Sequence, residues 1–292
     1  MTLTIDSLYK SYGKTQAISD VSATIDKGIT ALIGPNGAGK STLIGMITGN
    51  IKPDKGEILL HNEGHILRVR DKAYRSELGY MPQYPGMYPN FSIISFMRYI
   101  GCLKQTDKKS ADDEALRLLA RVGLDDSLNK KIYALSGGMR QRLALAAALI
   151  GDPGIIILDE PTAGLDPNQR VAVRTLVSEI ALNRTVIIAT HIVSDIEHTA
   201  DTIMVLRSGK LIRHSAPQKL ISEVNGRVWL LPCQKDKIEE WRSRFPVVSI
   251  SGGESDGQAV LRILSDHQPS EASVRTKPTL EDASIELFGA NI

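Results

Sequence analysis

Cysteine is nearly absent from this chain: Cys102 and Cys233 are the only two, far apart and in no paired or metal-like spacing. That excludes a disulfide-built scaffold and a cysteine metal cluster, and it fits a reducing compartment. Net charge is scarce too, +2 over 292 residues. No overall basic field attracts nucleic acid, and no nucleic-acid partner is expected. Long apolar runs are also missing. The longest, residues 143–150, is eight residues, against the roughly 20 needed to span a bilayer. The chain is not expected to cross a membrane by itself; if it works at one, it needs an embedded partner. Residues 1–6 show no basic region followed by an apolar stretch, so no secretion signal is expected. What remains is a chain with 42% hydrophobic content, enough for one large domain and a smaller appendage.

What is present begins with Gly34-Pro35-Asn36-Gly37-Ala38-Gly39-Lys40-Ser41-Thr42. This is the phosphate-binding loop pattern G-x-x-x-x-G-K-[ST]. Its glycines let the backbone curl so that successive N–H groups point at phosphate oxygens. Lys40 brings positive charge to the outer phosphates, and the Ser41 hydroxyl can face Mg2+. Leu43, Ile44, Met46 and Ile47 predict a helix behind the loop, whose N-terminal dipole adds attraction for anions.

Four short runs, residues 29–33, 78–81, 155–158 and 186–189, are apolar without alternation. They predict strands of a parallel sheet buried on both faces. Each ends at a residue with chemical potential: the phosphate loop, Gln83, the Asp159-Glu160 pair, and His191. In open α/β sheets ligands sit beyond the carboxyl ends of the strands, so these ends converge on one site. An Asp there commonly holds Mg2+ through water, which is the role expected of Asp159. The adjoining Glu160 can polarise a water for in-line attack on the γ-phosphorus.

Between the second and third of these strands the pattern changes. Residues 91–104 have near-helical apolar spacing, Ser110 with Asp112, Asp113 and Glu114 predicts the opening of a second helix that Gly123 closes, and a third helix begins after Ser136-Gly137-Gly138. This predicts an all-helical insertion over about 84–150. Residues 3–5 and 23–25 suggest antiparallel strands, and 203–206 with 211–213 a hairpin about Ser208-Gly209. His61-Asn-Glu63-Gly64-His65 resembles a zinc motif only superficially, and Gly64 predicts a hairpin turn instead. Lys108-Lys109 reads as solvated loop charge. From 217 onward a small α+β appendage is expected, with strands near 228–231, 247–251 and 260–264 and helices near 237–245 and 280–288.

Leu135-Ser136-Gly137-Gly138-Met139-Arg140-Gln141-Arg142 narrows the field. Together with the phosphate loop it resembles the signature of ATP-binding cassette (ABC) transporter ATPases, and the resemblance covers residues 1 to about 216. It implies a P-loop NTPase core of α/β class with an antiparallel β subdomain, an inserted helical subdomain and, at 217–292, an accessory domain. By the same resemblance Tyr12, rather than Tyr9, stacks on adenine. Gln83 matches the loop that senses Mg2+ and the membrane partner, and His191 matches the switch histidine at the γ-phosphate. Glu160, His191 and Gln83 are thus the expected catalytic set, and Ser41, Gln83 and Asp159 the expected metal set. Gly164-Leu165-Asp166 matches the loop that crosses to the second subunit, with Gly164 where many members carry Ala.

Ser136, Gly137 and Gly138 at a helix N-terminus form a second anion site. One chain cannot easily fold its signature onto its own phosphate loop. The resemblance therefore implies a head-to-tail pair of cassettes, homodimeric or heterodimeric, with ATP buried between them. It also implies an integral membrane permease partner and a peripheral position on the cytoplasmic face of the cell membrane. Pro278-Thr279-Leu280-Glu281-Asp282 is similar to an element found in cassette subunits of drug, peptide or lipid exporters. The alternative, a soluble cassette ATPase of DNA repair or translation, would usually bring a coiled-coil insertion or a second cassette, and neither is in this sequence.

Overall fold

The computed structural model describes residues 1–104, 108–253 and 255–289, with the side chains of Lys108 and Lys109 outside that description. The chain divides into two compact units. One comprises Met1–His191 with Met204–His214, the other Ile192–Ile203 with Ser215–Ile292.

A six-stranded sheet runs in the order Lys210–Ser215, Thr202–Arg207, Gly28–Ile33, Thr185–Ala189, Ile155–Asp159, Leu78–Met81. The last four are parallel neighbours, with Ile29 opposite Val186, Val186 opposite Ile156, and Ile156 opposite Gly79. Residues 155–158 and 185–189 are buried without alternation, because both faces of the sheet are covered. A second, antiparallel sheet joins Thr15–Ile25, Thr2–Tyr12, Lys55–Asn62 and His65–Arg68. Leu3, Ile5 and Leu8 from this sheet share one core with Leu43, Met46 and Ile47 of the loop helix Lys40–Ile47. The Tyr74 hydroxyl, buried in that core, donates to Ile47 O at 2.8 Å.

The His61–His65 segment is the expected hairpin: Asn62 pairs with His65, and Glu63 and Gly64 both have positive φ. The insertion is helical, with Ile93–Leu103, Lys108–Arg121 and Gly137–Ala148. The second of these begins two residues before Ser110, so Ser110 lies inside the helix rather than capping it. Gly123, at φ 64, closes it through its N–H to Ala120 O. Among the elements that carried no expectation are the short helix Lys72–Ser76 and the long helix Pro167–Ala181.

The second unit holds an antiparallel sheet in the order Val247–Gly252, Gln258–Leu264, Val228–Gln234, Val274–Arg275. Trp229, Leu231, Leu261 and Ile263 form its apolar core, onto which Trp241 and Phe245 pack with ring centroids 6.0 Å apart. Arg262 alternates to the opposite face. There its guanidinium donates twice to Asp282, at 2.7 Å each, near the start of the helix Leu280–Phe288. Thr279 caps that helix in a reciprocal box: Asp282 N donates to the Thr279 hydroxyl oxygen, and Thr279 N donates to Asp282 Oδ2 at 2.6 Å. The Asp282 carboxylate holds the Arg262 guanidinium above its ordinary value, with Glu281 and Glu197 adding to the effect.

Candidate nucleotide site

The carboxyl end of Gly28–Ile33 runs straight into the phosphate loop, and Gly39 at φ 105 turns it into the helix Lys40–Ile47. The loop is braced from outside. A Cβ on Gly34 would lie 2.3 Å from Leu206 O, and one on Gly39 would lie 2.6 Å from Ala17 O. Gly209 N donates to Ala38 O at 3.0 Å, while Ala38 itself is buried. Asn36 and Gly37 at the tip, and Ser41 at the helix start, are exposed; Pro35 and Thr42 are half-buried. The Lys40 ammonium donates to Gly34 O and, at 3.1 Å, to Pro35 O. Burial lowers the Lys40 pKa, and the charges of Glu160 and Asp159 pull it back up.

Two strands away in the parallel sheet, Ile155–Asp159 delivers the carboxylates. Burial raises the Asp159 pKa, the Glu160 charge raises it further, and Lys40 opposes both. A half-buried anion held uphill in this way is a good seat for a cation. Asp159, Ser41 and Gln83, the residues expected around Mg2+, all carry oxygen donors, whose chemistry suits Mg2+ rather than a soft metal. Among the described residues no cluster of three or more His, Cys, Asp or Glu could hold a metal alone.

Glu160 is buried, and its φ of 53 is a left-handed value unusual outside glycine. Each of its polar atoms has a partner. Its N–H donates to Ala189 O at 2.8 Å, and Oε2 accepts from the Thr190 hydroxyl at 3.3 Å. Oε1 accepts from His191 N at 3.1 Å and lies 2.8 Å from His191 Nδ1. Its carbonyl accepts from Gln141 Nε2 at 2.9 Å. The His191 side chain is 63% exposed, so a buried carboxylate is tied to a ring that faces outward. Thr190 and Gln141 had no assigned part in the sequence. Gln141 stood in the signature run, but only tertiary pairing shows where its amide goes.

The other expected residues sit on different elements. Ser136 caps Gly137–Ala148, accepting from Met139 N at 3.2 Å. A Cβ on Gly137 would meet nothing within 4 Å, so this chain's own packing does not demand glycine there. Gly138 is tighter, with Gln169 Oε1 2.2 Å from its would-be Cβ. Asp166 caps Pro167–Ala181 through Gln169 N at 2.9 Å. Gln83 is exposed and lines an open groove of 680 Å³ with Gly137, Arg140, Gln141 and Gly164. Tyr12, half exposed, ends the hairpin strand Thr2–Tyr12 with Lys10 Nζ 5.7 Å from its ring centroid. Tyr9 is engaged by Asp20 and by Lys55. The structure thus brings Lys40, Asp159, Glu160 and His191 to neighbouring strand ends, while Ser136 and Asp166 each cap a helix of their own.

Residues 18–163 match the family model described as ABC transporter. The uncharacterised ABC transporter ATP-binding protein YxlF of Bacillus subtilis (strain 168) is 34% identical over 266 residues, covering 91% of this chain and 88% of its own. This chain belongs to the ABC transporter ATP-binding family. As such a cassette it binds ATP and is an ATPase. Nod factor export ATP-binding protein I of Rhizobium meliloti (strain 1021) is 36% identical over 305 residues, covering all of this chain and 90% of that one. Among solved structures, an ATP-binding subunit of an ABC transporter superposes with a TM-score of 0.69 at 26% identity, over 76% of this cassette and 93% of that chain. A dimeric bacterial cassette, MJ0796, gives a TM-score of 0.66 at 25% identity, over 73% and 98%. The α/β P-loop architecture with its helical insertion is therefore shared. Among the described residues no helix is long and apolar enough to cross a membrane.

Proposed function

We propose that this cassette powers export of a drug-, peptide- or lipid-like substrate by closing head to tail on a second cassette around ATP. The observation that carries the reading is the arrangement of Glu160, locked by Thr190 and His191 beside Lys40 and Asp159. The N–H groups of Gly34 and of residues 36–42, with the Lys40 ammonium, bind phosphate oxygens, and Tyr12 stacks on adenine. Ser41, Asp159 and Gln83 would hold Mg2+, which when bound neutralises charge on the β- and γ-phosphate oxygens. Glu160 accepts a proton from the attacking water, and His191 holds it in place while facing the γ-phosphate. Ser136, Gly137, Gly138 and Asp166 serve the nucleotide held by the second cassette.

Export is favoured by the relatives named for Nod factor export and by the Pro278–Asp282 element. Residues 1–216 would form the ATPase domain and 217–292 an accessory domain. An integral membrane permease would dock near Gln83, where Tyr84 is 84% exposed and Met87 lines the same groove. Tyr88 packs edge-on against Tyr99 at 5.4 Å and is a poorer contact candidate. Such docking would place the cassette on the cytoplasmic face of the membrane.

The deciding experiment uses Glu160→Gln. With saturating ATP and Mg2+ it is expected to accumulate a dimer by light scattering. A variant that stays monomeric even beside its membrane subunit, or that hydrolyses ATP at the normal rate, overturns the reading. Identifying the membrane protein and the solute it moves in vesicles tests export separately.

A further inference from the structure

Glu160 needs more than its side-chain partners to point its carboxylate. Its left-handed φ of 53 is a conformation that a non-glycine residue keeps only when its surroundings over-determine it. The peptide on one side is fixed by Glu160 N donating to Ala189 O at 2.8 Å. On the other side the carbonyl accepts from Gln141 Nε2 at 2.9 Å and from Ala163 N at 3.2 Å. Gln141 stands in the helix Gly137–Ala148, five residues after its cap Ser136, about one and a half turns along. Gly138 in the first turn lies against Gln169, next to the Asp166 cap. The helix is therefore seated at both places, and the amide of Gln141 has a defined direction.

We propose that Gln141 is a positioning residue for hydrolysis: its amide, together with the Ala163 N–H on the same carbonyl, fixes the Glu160–Pro161 peptide plane and so aims the Glu160 carboxylate at the attacking water. The proposal rests on the reading of Glu160 as the group that takes the proton from that water. It adds that the helix presenting Ser136 and Gly137 to the second cassette's nucleotide also holds this chain's own glutamate. A shift of that helix moves the Glu160 carbonyl directly, through one hydrogen bond.

The test compares Gln141→Met, similar in length but without the donor, with Gln141→Lys, which restores an N–H donor of sufficient reach. In the full chain, Gln141→Met is expected to lower kcat about tenfold to a hundredfold, the scale of a misplaced reacting group. ATP affinity by calorimetry, and KM, should stay within about twofold. Gln141→Lys should recover most of the loss. In single-turnover measurements, Gln141→Met should add nothing further to Glu160→Gln, since the two act through one group. A normal rate in Gln141→Met, a loss of affinity matching the loss of rate, or full additivity with Glu160→Gln would overturn the proposal. If the Met variant does not fold, Gln141→Ala supplies the same comparison. Normal turnover in Glu160→Gln alone would instead sink the reading of Glu160 and is a separate result.

Discussion

Each of the two units buries a carboxylate, and they do so in opposite ways. The Glu160 side chain is 9% exposed and is tied to a histidine ring that is 63% exposed, on a backbone in the left-handed region. Asp282 is fully buried, and its partner Arg262 is only 18% exposed. The Arg262–Asp282 pair is bidentate, and Asp282 also accepts from the Thr279 hydroxyl and backbone N–H. One carboxylate is kept with an exposed histidine neighbour and a strained backbone, as a reacting group requires. The other is enclosed by a permanent cation and a helix cap, which suits a joint that never opens. Burial alone does not mark a functional carboxylate; the company it keeps does.

Substitutions can break this contrast, starting with the largest effect. Glu160→Gln is expected to slow turnover about a thousandfold, while the isosteric amide leaves thermal unfolding nearly unchanged. Asp282→Ala should do the reverse, leaving a buried guanidinium uncompensated at a cost of about 3 kcal/mol. Both tryptophans, Trp229 and Trp241, lie in the second unit, so their fluorescence in urea reads that loss directly. Thr279→Ala removes only the cap acceptor and should shift the same transition by about 1 kcal/mol.

The smallest effect belongs to Asp159. Its folded pKa is raised, by burial first and by Glu160 second, so the folded state holds that proton more tightly than the unfolded chain. The resulting stability is present at acidic pH and is lost as pH rises through the raised value. Asp159→Asn should therefore raise the nucleotide-free melting temperature slightly at neutral pH and flatten its pH dependence. A lower melting temperature would show that the charge is not held uphill.

Where one local rule acts alone, the sequence is sufficient. The phosphate loop and the unalternating strands lie where glycine spacing and burial on two faces place them. The helix Pro167–Ala181 was also legible, through buried Val173, Leu176, Val177 and Ile180 at helical spacing, but its neighbour Asp166 drew attention only for its chemistry. The Pro278–Asp282 element read as a family resemblance, although Thr279 and Asp282 already spell a capping box. Its partner Arg262, twenty residues earlier, could not be read, because strand alternation gives a face but not a contact. Gln141 failed for the same reason. The grouping of Ile192–Ile203 with the C-terminal residues likewise depends on packing that leaves no mark in composition.

The bracing of the phosphate loop has a consequence for ligand entry. Carbonyls of Ala17 and Leu206 crowd Gly39 and Gly34 from behind, and Gly209 grips Ala38. The cradle is thus shaped before any anion arrives, so an incoming triphosphate loses little of its binding energy to freezing a floppy segment. Discrimination among anions then falls to the size and charge of the guest, not to the willingness of the host to rearrange.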